Sequence, residues 1–145
     1  MGYAFNNHET FAAIALAREW YSKKKFEHCL RVAEYAVRMG NEQKYSENEL
    51  TMLFIIGLLH DILEDTDCPE ETLDKIFDDY VIDAIKLLTK DKSMSYHEYC
   101  QNIIYSPSIL AFLVKRADLK DHLTRRDTLT NELKEKYVME VGDFL

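Results

Sequence analysis

The sequence predicts an all-α fold, and three observations predict it. Apolar residues recur at helical spacing along most of the chain, and no segment sustains the period-two alternation of a strand. The 145 residues include only four glycines and two prolines, too little turn material for a many-stranded sandwich or barrel. One stretch, Leu50 to Leu59, is apolar on nearly every face, which is how a helix at the centre of a domain reads. A chain of this length buries roughly 68–70% of its unfolded surface as one unit. No repeat, low-complexity tract or linker interrupts it. Residues 1–145 therefore read as a single compact helical bundle around a buried central helix.

A first amphipathic helix is expected over Glu9 to Lys23, with Phe11, Ile14, Ala15 and Trp20 among its buried positions and Lys23-Lys24-Lys25 marking its exposed end. A second, Glu27 to Met39, sets Cys29, Leu30, Ala33, Ala36 and Val37 on one side, with Gly40-Asn41 where a C-terminal cap belongs. Ser46 with Glu49 has capping-box spacing and opens the central helix. Pro69, followed by Glu70 and Glu71, starts another helix with acid in its first turn. Val81 to Thr89 is a further helical segment, and Ser95 with Glu98 is a second capping-box spacing. Ser106-Pro107 reads as a cap followed by proline at the first helical position. The last two helices are expected at Ser108 to Leu123 and Thr128 to Phe144.

Charge and composition exclude several partners. With 47% hydrophobic and 30% charged residues the chain reads as soluble and globular. A net charge of −8 opposes binding to a nucleic-acid backbone, which leaves a small phosphorylated ligand met by locally gathered basic residues. The longest apolar run, Met52 to Leu59, is far short of the roughly 20 residues of a membrane span. The N-terminus lacks the basic start and apolar stretch of a signal peptide. Cys29, Cys68 and Cys100 lie far apart without a CxxC, the pattern of reduced thiols in a cytoplasm.

The chemistry concentrates where the apolar run meets His60-Asp61-Ile62-Leu63-Glu64-Asp65. Carboxylates placed beside a low-dielectric core are costly unless something satisfies them. On a continuing helix, residues 60 and 64 share one face and 61 and 65 the next, so His60 and Asp61 can ligate one cation. Glu64 and Asp65 then stand a turn further on, within reach of an attacking water. The same residues also read as an ordinary helix end, with exposed acids and His60 bonded to backbone.

Company decides between these readings. Gly57-Leu58-Leu59-His60-Asp61-Ile62-Leu63-Glu64-Asp65-Thr66 resembles the HDxxEDT core of the hydrolase domain of RelA/SpoT homologues, a branch of the HD superfamily. His28, in Phe26-Glu27-His28-Cys29-Leu30-Arg31-Val32-Ala33, matches that family's first metal histidine. Leu87 through Tyr96 matches a later segment. Val114-Lys115-Arg116-Ala117-Asp118-Leu119-Lys120 matches the stretch carrying the last metal aspartate. The resemblance runs from about residue 11 to residue 140.

It implies His28, His60, Asp61 and Asp118 as metal ligands, with Glu64 and Asp65 handling the attacking water or the leaving group's proton. The implied metal is Mn²⁺, although imidazole and carboxylate donors also suit Fe, Co, Ni or Zn. The implied reaction is release of pyrophosphate from the 3′ position of guanosine tetra- and pentaphosphate. Lys23, Lys24, Lys115 and His122 are the expected substrate contacts, with Lys25, Lys120 and Arg125 as further cations near the phosphates. Two departures bear on substrate. Lys23-Lys24-Lys25 leads almost directly to His28 where the family has a longer turn with Thr-Pro-Tyr, and His122 replaces the family's Asn. Rival readings are the same chemistry on another nucleotide, and a sensor that binds a nucleotide without turning it over. His8 and His97 read as surface residues.

Overall fold

The computed structural model describes residues 8–125 and 130–145, and among these every regular element is helical. The order is α1 (His8–Trp20), α2 (Lys23–Glu42), α3 (Glu47–Leu59), α4 (Ile62–Asp65), α5 (Glu70–Asp74), α6 (Asp79–Leu87), α7 (Tyr96–Ile104), α8 (Ile109–Thr124) and α9 (Asn131–Val141), with a closing 3₁₀ turn at Gly142–Phe144. Among the described residues, no helix is long and apolar enough to cross a membrane.

Helix α3 is the axis of the bundle, packed by α1, α2, α6 and α8. Every residue from Leu53 to Leu59 is buried. Its start is set locally: the Ser46 side chain accepts from the Glu49 backbone N–H, and Glu49 returns a bond to the Ser46 N–H. Single side-chain caps open α6 at Asp78 and α7 at Ser95.

Several boundaries differ from the sequence expectation. Helix α1 stops at Trp20 because Ser22 caps α2, accepting from the Lys25 N–H at 3.1 Å. The three lysines therefore form the first turn of α2, not the end of α1. The buried stripe of α1 is Thr10, Ala13, Leu16 and Ala17, whereas Phe11 is 57% exposed, Ala15 faces outward, and Ile14 and Trp20 are half-buried. Apolar residues fill the sequence from 11 to 17, so periodicity does not fix the phase, and the small side chains turn toward α3.

Helix α2 also runs past Gly40 to Glu42, and the left-handed residue after it is Lys44, at φ 60°. Gly40 serves packing instead: a Cβ there would meet the side chains of Leu53 and Leu50. A Cβ on Gly57 would lie 2.7 Å from the Ala33 Cα, so α2 and α3 touch backbone to backbone there.

The cap of α8 is Ser108, which accepts from the Ala111 N–H, not Ser106. Ser106 instead donates to the Ile103 carbonyl and finishes α7. Of the expected last helix, Thr130 caps α9 and the helix proper ends at Val141, while Thr128 lies outside the described residues.

Candidate active site

Three long helices bring the site together. His28 comes from the second turn of α2, His60 and Asp61 from the end of α3, and Asp118 from the middle of α8. The central helix does not continue through the motif as expected. It stops at Leu59, Asp61 takes φ −101° and ψ 1°, and the four-residue α4 starts at Ile62. The break lets His60 turn back, so that its Nδ1–H donates to the Gly57 carbonyl at 2.6 Å.

His28 is anchored the same way, with Nδ1 2.7 Å from Asp121 Oδ2. A carboxylate or carbonyl partner on Nδ1 fixes the tautomer and directs Nε2 at the centre. Both Nε2 atoms face Asp118 Oδ1, at 3.0 Å from His28 and 3.2 Å from His60. Asp61 Oδ2 stands 3.4 Å from His60 Nε2 and 3.8 Å from His28 Nε2.

Most of these separations suit donors that share a divalent cation. Bonds of roughly 2.0–2.1 Å, as for zinc and imidazole, set neighbouring donors about 3.0–3.4 Å apart. Burial would depress the His60 imidazole, yet Asp61 and Asp118 keep it well above its usual value. Burial would likewise raise Asp118, and Lys115 followed by His122, His28 and His60 drives it well below the usual carboxylate range. His28, Cys29, His60 and Asp61 form one group with metal-ligand spacing, and His28, Asp118 and His122 a second. Burial pushes the Cys29 thiol up, which disfavours the thiolate a metal requires.

Glu64 and Asp65 stand at the edge. Glu64 accepts the Lys90 backbone N–H at 2.7 Å, and burial raises its carboxyl above the ordinary value. Asp65 pairs with Lys25 Nζ at 2.8 Å, and the same ammonium reaches Asp61 Oδ2 at 3.0 Å. Lys115 is buried, with Nζ 2.9 Å from Asp118 Oδ2 and about 5 Å from the rings of Tyr96 and Tyr99. That ion pair occupies one oxygen of Asp118 and leaves the other for the histidines.

Two cavities flank the cluster. The larger, about 720 Å³, is walled by Lys23, Lys24, Arg31, Asp121 and Arg125. The smaller, about 160 Å³, contains Asp61, Glu64, Asp65, Asp118 and Lys115. Lys25 and His122 line both. His122 Nε2 lies 3.3 Å from Asp118 Oδ1, and its ring stacks on Tyr137 with centroids 4.5 Å apart. Lys120 is directed elsewhere, over the Tyr35 ring. His8 is exposed, and His97 bonds Glu140.

Sequence reasoning missed Asp121, Arg31 and the bridging role of Lys25. Asp121 is buried and takes Nε and Nη2 of Arg31 at 2.8 and 3.1 Å besides His28. Burial pushes its carboxyl up, and the bonds from His28 and Arg31 overcome this and bring it to about 2. Its signal was helical spacing: 121 follows 118 by three, and 31 follows 28 by three.

Comparison with known proteins finds related chains. A family model for the HD domain matches residues 26–122. Guanosine-3′,5′-bis(diphosphate) 3′-pyrophosphohydrolase MESH1 of Drosophila melanogaster is 31% identical over 134 residues, covering 77% of this chain and 73% of that protein. A solved structure of a metazoan orthologue of SpoT that hydrolyses ppGpp shares the fold, with a TM-score of 0.71 at 21% identity, over 97% of this chain and 85% of the other.

Proposed function

The chain belongs to the HD-domain family, and we propose that it is a Mn²⁺-dependent phosphohydrolase that removes pyrophosphate from the 3′ position of guanosine 3′,5′-bis(diphosphate). The observation that carries the reading is the convergence of two Nδ1-anchored histidines and two aspartates beside a pair of acids, in a chain 31% identical to a 3′-pyrophosphohydrolase. His28, His60, Asp61 and Asp118 would hold the cation. A bound divalent ion supplies Lewis-acid charge to a phosphoryl oxygen and lowers the pKa of water.

The residues of the chain do the rest. Water oxygen bonds to the phosphorus carried by the 3′-oxygen, the 3′-O–P bond breaks, and the 3′-oxygen takes up a proton. Glu64, whose carboxyl burial raises above its ordinary value, takes the water's proton. Asp65, held by Lys25, orients the water. Lys23 and Lys24 meet the nucleotide's phosphates in the larger cavity, and Lys115, in the smaller one, acts through Asp118. His122 takes the position of the nucleotide contact. We read residues 1–145 as one such domain. Three buried free cysteines support a reducing, cytoplasmic setting.

The test is chromatography of the products of guanosine tetraphosphate with the purified protein, with Mn²⁺ and with EDTA. Equimolar guanosine diphosphate and pyrophosphate, formed only with metal, is the expected result. Orthophosphate as first product, or no turnover with any divalent ion, sinks the reading. A second reading, the same chemistry on another nucleotide ester, is favoured by His122, whose ring is stacked on Tyr137 and is not a freely oriented amide. A nucleotide panel in the same assay separates the two.

A further inference from the structure

The two cavities differ in a way that assigns a direction to the substrate, and the assignment rests on the phosphohydrolase reading above. A phosphorus under attack must lie beside Asp61, Asp118, Glu64 and Asp65 together. Only the smaller cavity contains all four. At about 160 Å³ it is below the roughly 300–1,000 Å³ typical of sites for drug-sized ligands, whereas the larger, at about 720 Å³, falls within that range. A nucleoside therefore has room in one, and phosphoryl groups in the other.

The smaller cavity is also walled by four lysines, Lys25, Lys90, Lys115 and Lys136, which balance its four carboxylates before any cation enters. A divalent ion would leave it net positive, ready for an anion. Three of the lysines have work already: Lys25 bridges Asp61 and Asp65, Lys115 holds Asp118, and Lys90 Nζ donates to the Asp91 carbonyl. Lys136 pairs with no carboxylate among the described residues. Its Nζ rests over the Tyr96 ring at 4.3 Å and the Tyr137 ring at 5.5 Å, which sets the ammonium of this exposed lysine at the chamber wall. Lys136 and Tyr137 are carried by α9, which lies beyond residues 26–122, the span shared with the HD domain.

We propose that Lys136 is a binding residue for the leaving pyrophosphate, that the lysine-walled chamber is its subsite, and that α9 is the segment added to the shared domain to close it. The two phosphoryl groups being removed occupy the small chamber, and the nucleoside with its remaining phosphates lies on the Lys23–Lys24 side of His122.

Binding of inorganic pyrophosphate to the Mn²⁺-loaded full-length protein, followed by calorimetry with metal in excess over the anion, tests this without turnover. Lys136→Ala is expected to weaken binding roughly five- to tenfold, and Lys136→Arg to stay within about twofold of the parent. Lys134→Ala, an exposed lysine of the same helix that lines neither cavity, controls for bulk charge. The double variant Lys23→Ala/Lys24→Ala should keep pyrophosphate affinity while raising the KM for the nucleotide. The assignment is overturned if the parent does not bind pyrophosphate, if Lys136→Ala binds as the parent does, or if Lys134→Ala or the double variant weakens binding equally. Pyrophosphate binding that depends on Lys136 in a protein inactive on guanosine tetraphosphate would remove the substrate reading and leave the subsite standing.

Discussion

Two of the proposed ligands, His60 and Asp61, sit a few residues from the proposed acids in sequence, yet ligands and acids are held in different ways. His28, His60 and Asp118 are buried on helices that form the centre of the bundle, and each has a second partner: Asp121, the Gly57 carbonyl and Lys115. Glu64 and Asp65 ride on a single turn of helix at the surface, and their partners are a loop N–H and a half-exposed lysine. Holding a cation requires donors that cannot relax away from one another. Moving a proton requires a carboxylate that meets water. On the proposed roles, the break at His60–Asp61 would let one six-residue motif serve both, because it ends the rigid helix and starts a short exposed one.

The contrast is broken most severely at Asp118. Asp118→Ala leaves the Lys115 ammonium buried without a counter-charge, a loss of roughly 3–5 kcal/mol and a fall in melting temperature on the order of 10 °C. The double variant Asp118→Ala/Lys115→Met should recover part of that loss, and a single variant melting with the parent would show the pair to be idle. Metal removal comes next. Calorimetric scans with Mn²⁺ at a hundredfold excess over its dissociation constant should lie about 2.7 kcal/mol above those in EDTA, and a transition indifferent to both would dismantle the metal site.

Gly57→Ala tests whether the rigid wall depends on close approach. Its new methyl must displace the Ala33 backbone, at a cost of roughly 1–3 kcal/mol by chemical denaturation, whereas no change would mean that α2 and α3 slide freely.

The acid edge should respond in the opposite sense. Glu64→Gln and Asp65→Asn are expected to keep stability within about 0.5 kcal/mol and to retain metal, while kcat falls roughly 10²-fold or more. Parental turnover in both would return the acids to the status of a solvated helix end. His122→Asn is the mildest: stability nearly unchanged, with the ratio of kcat/KM for the alarmone over the best alternative nucleotide shifted toward the alarmone. An unchanged ratio would show that residue 122 does not set specificity.

Much of this protein was legible along the chain, and the reason is local. Ser46, Ser95 and the apolar run from Leu50 declare their helices through caps and patterning that act within four residues. The His-Asp-x-x-Glu-Asp spacing pointed to a site and the family resemblance added His28 and Asp118; the structure sets Asp118 against both histidines and Asp61 beside His60. Tertiary structure decided which way α1 turns, because a helix with apolar residues on several sides takes its phase from its neighbour. It decided that Lys23-Lys24-Lys25 opens α2, where Lys25 is compensated by Asp61 and Asp65 from 36 and 40 positions away. It also paired His28 with Asp121, 93 residues apart, and carried Lys136 of α9 into a chamber built by earlier helices. No short-range pattern encodes such contacts: they exist only once burial of the α3 core has fixed where each helix lies.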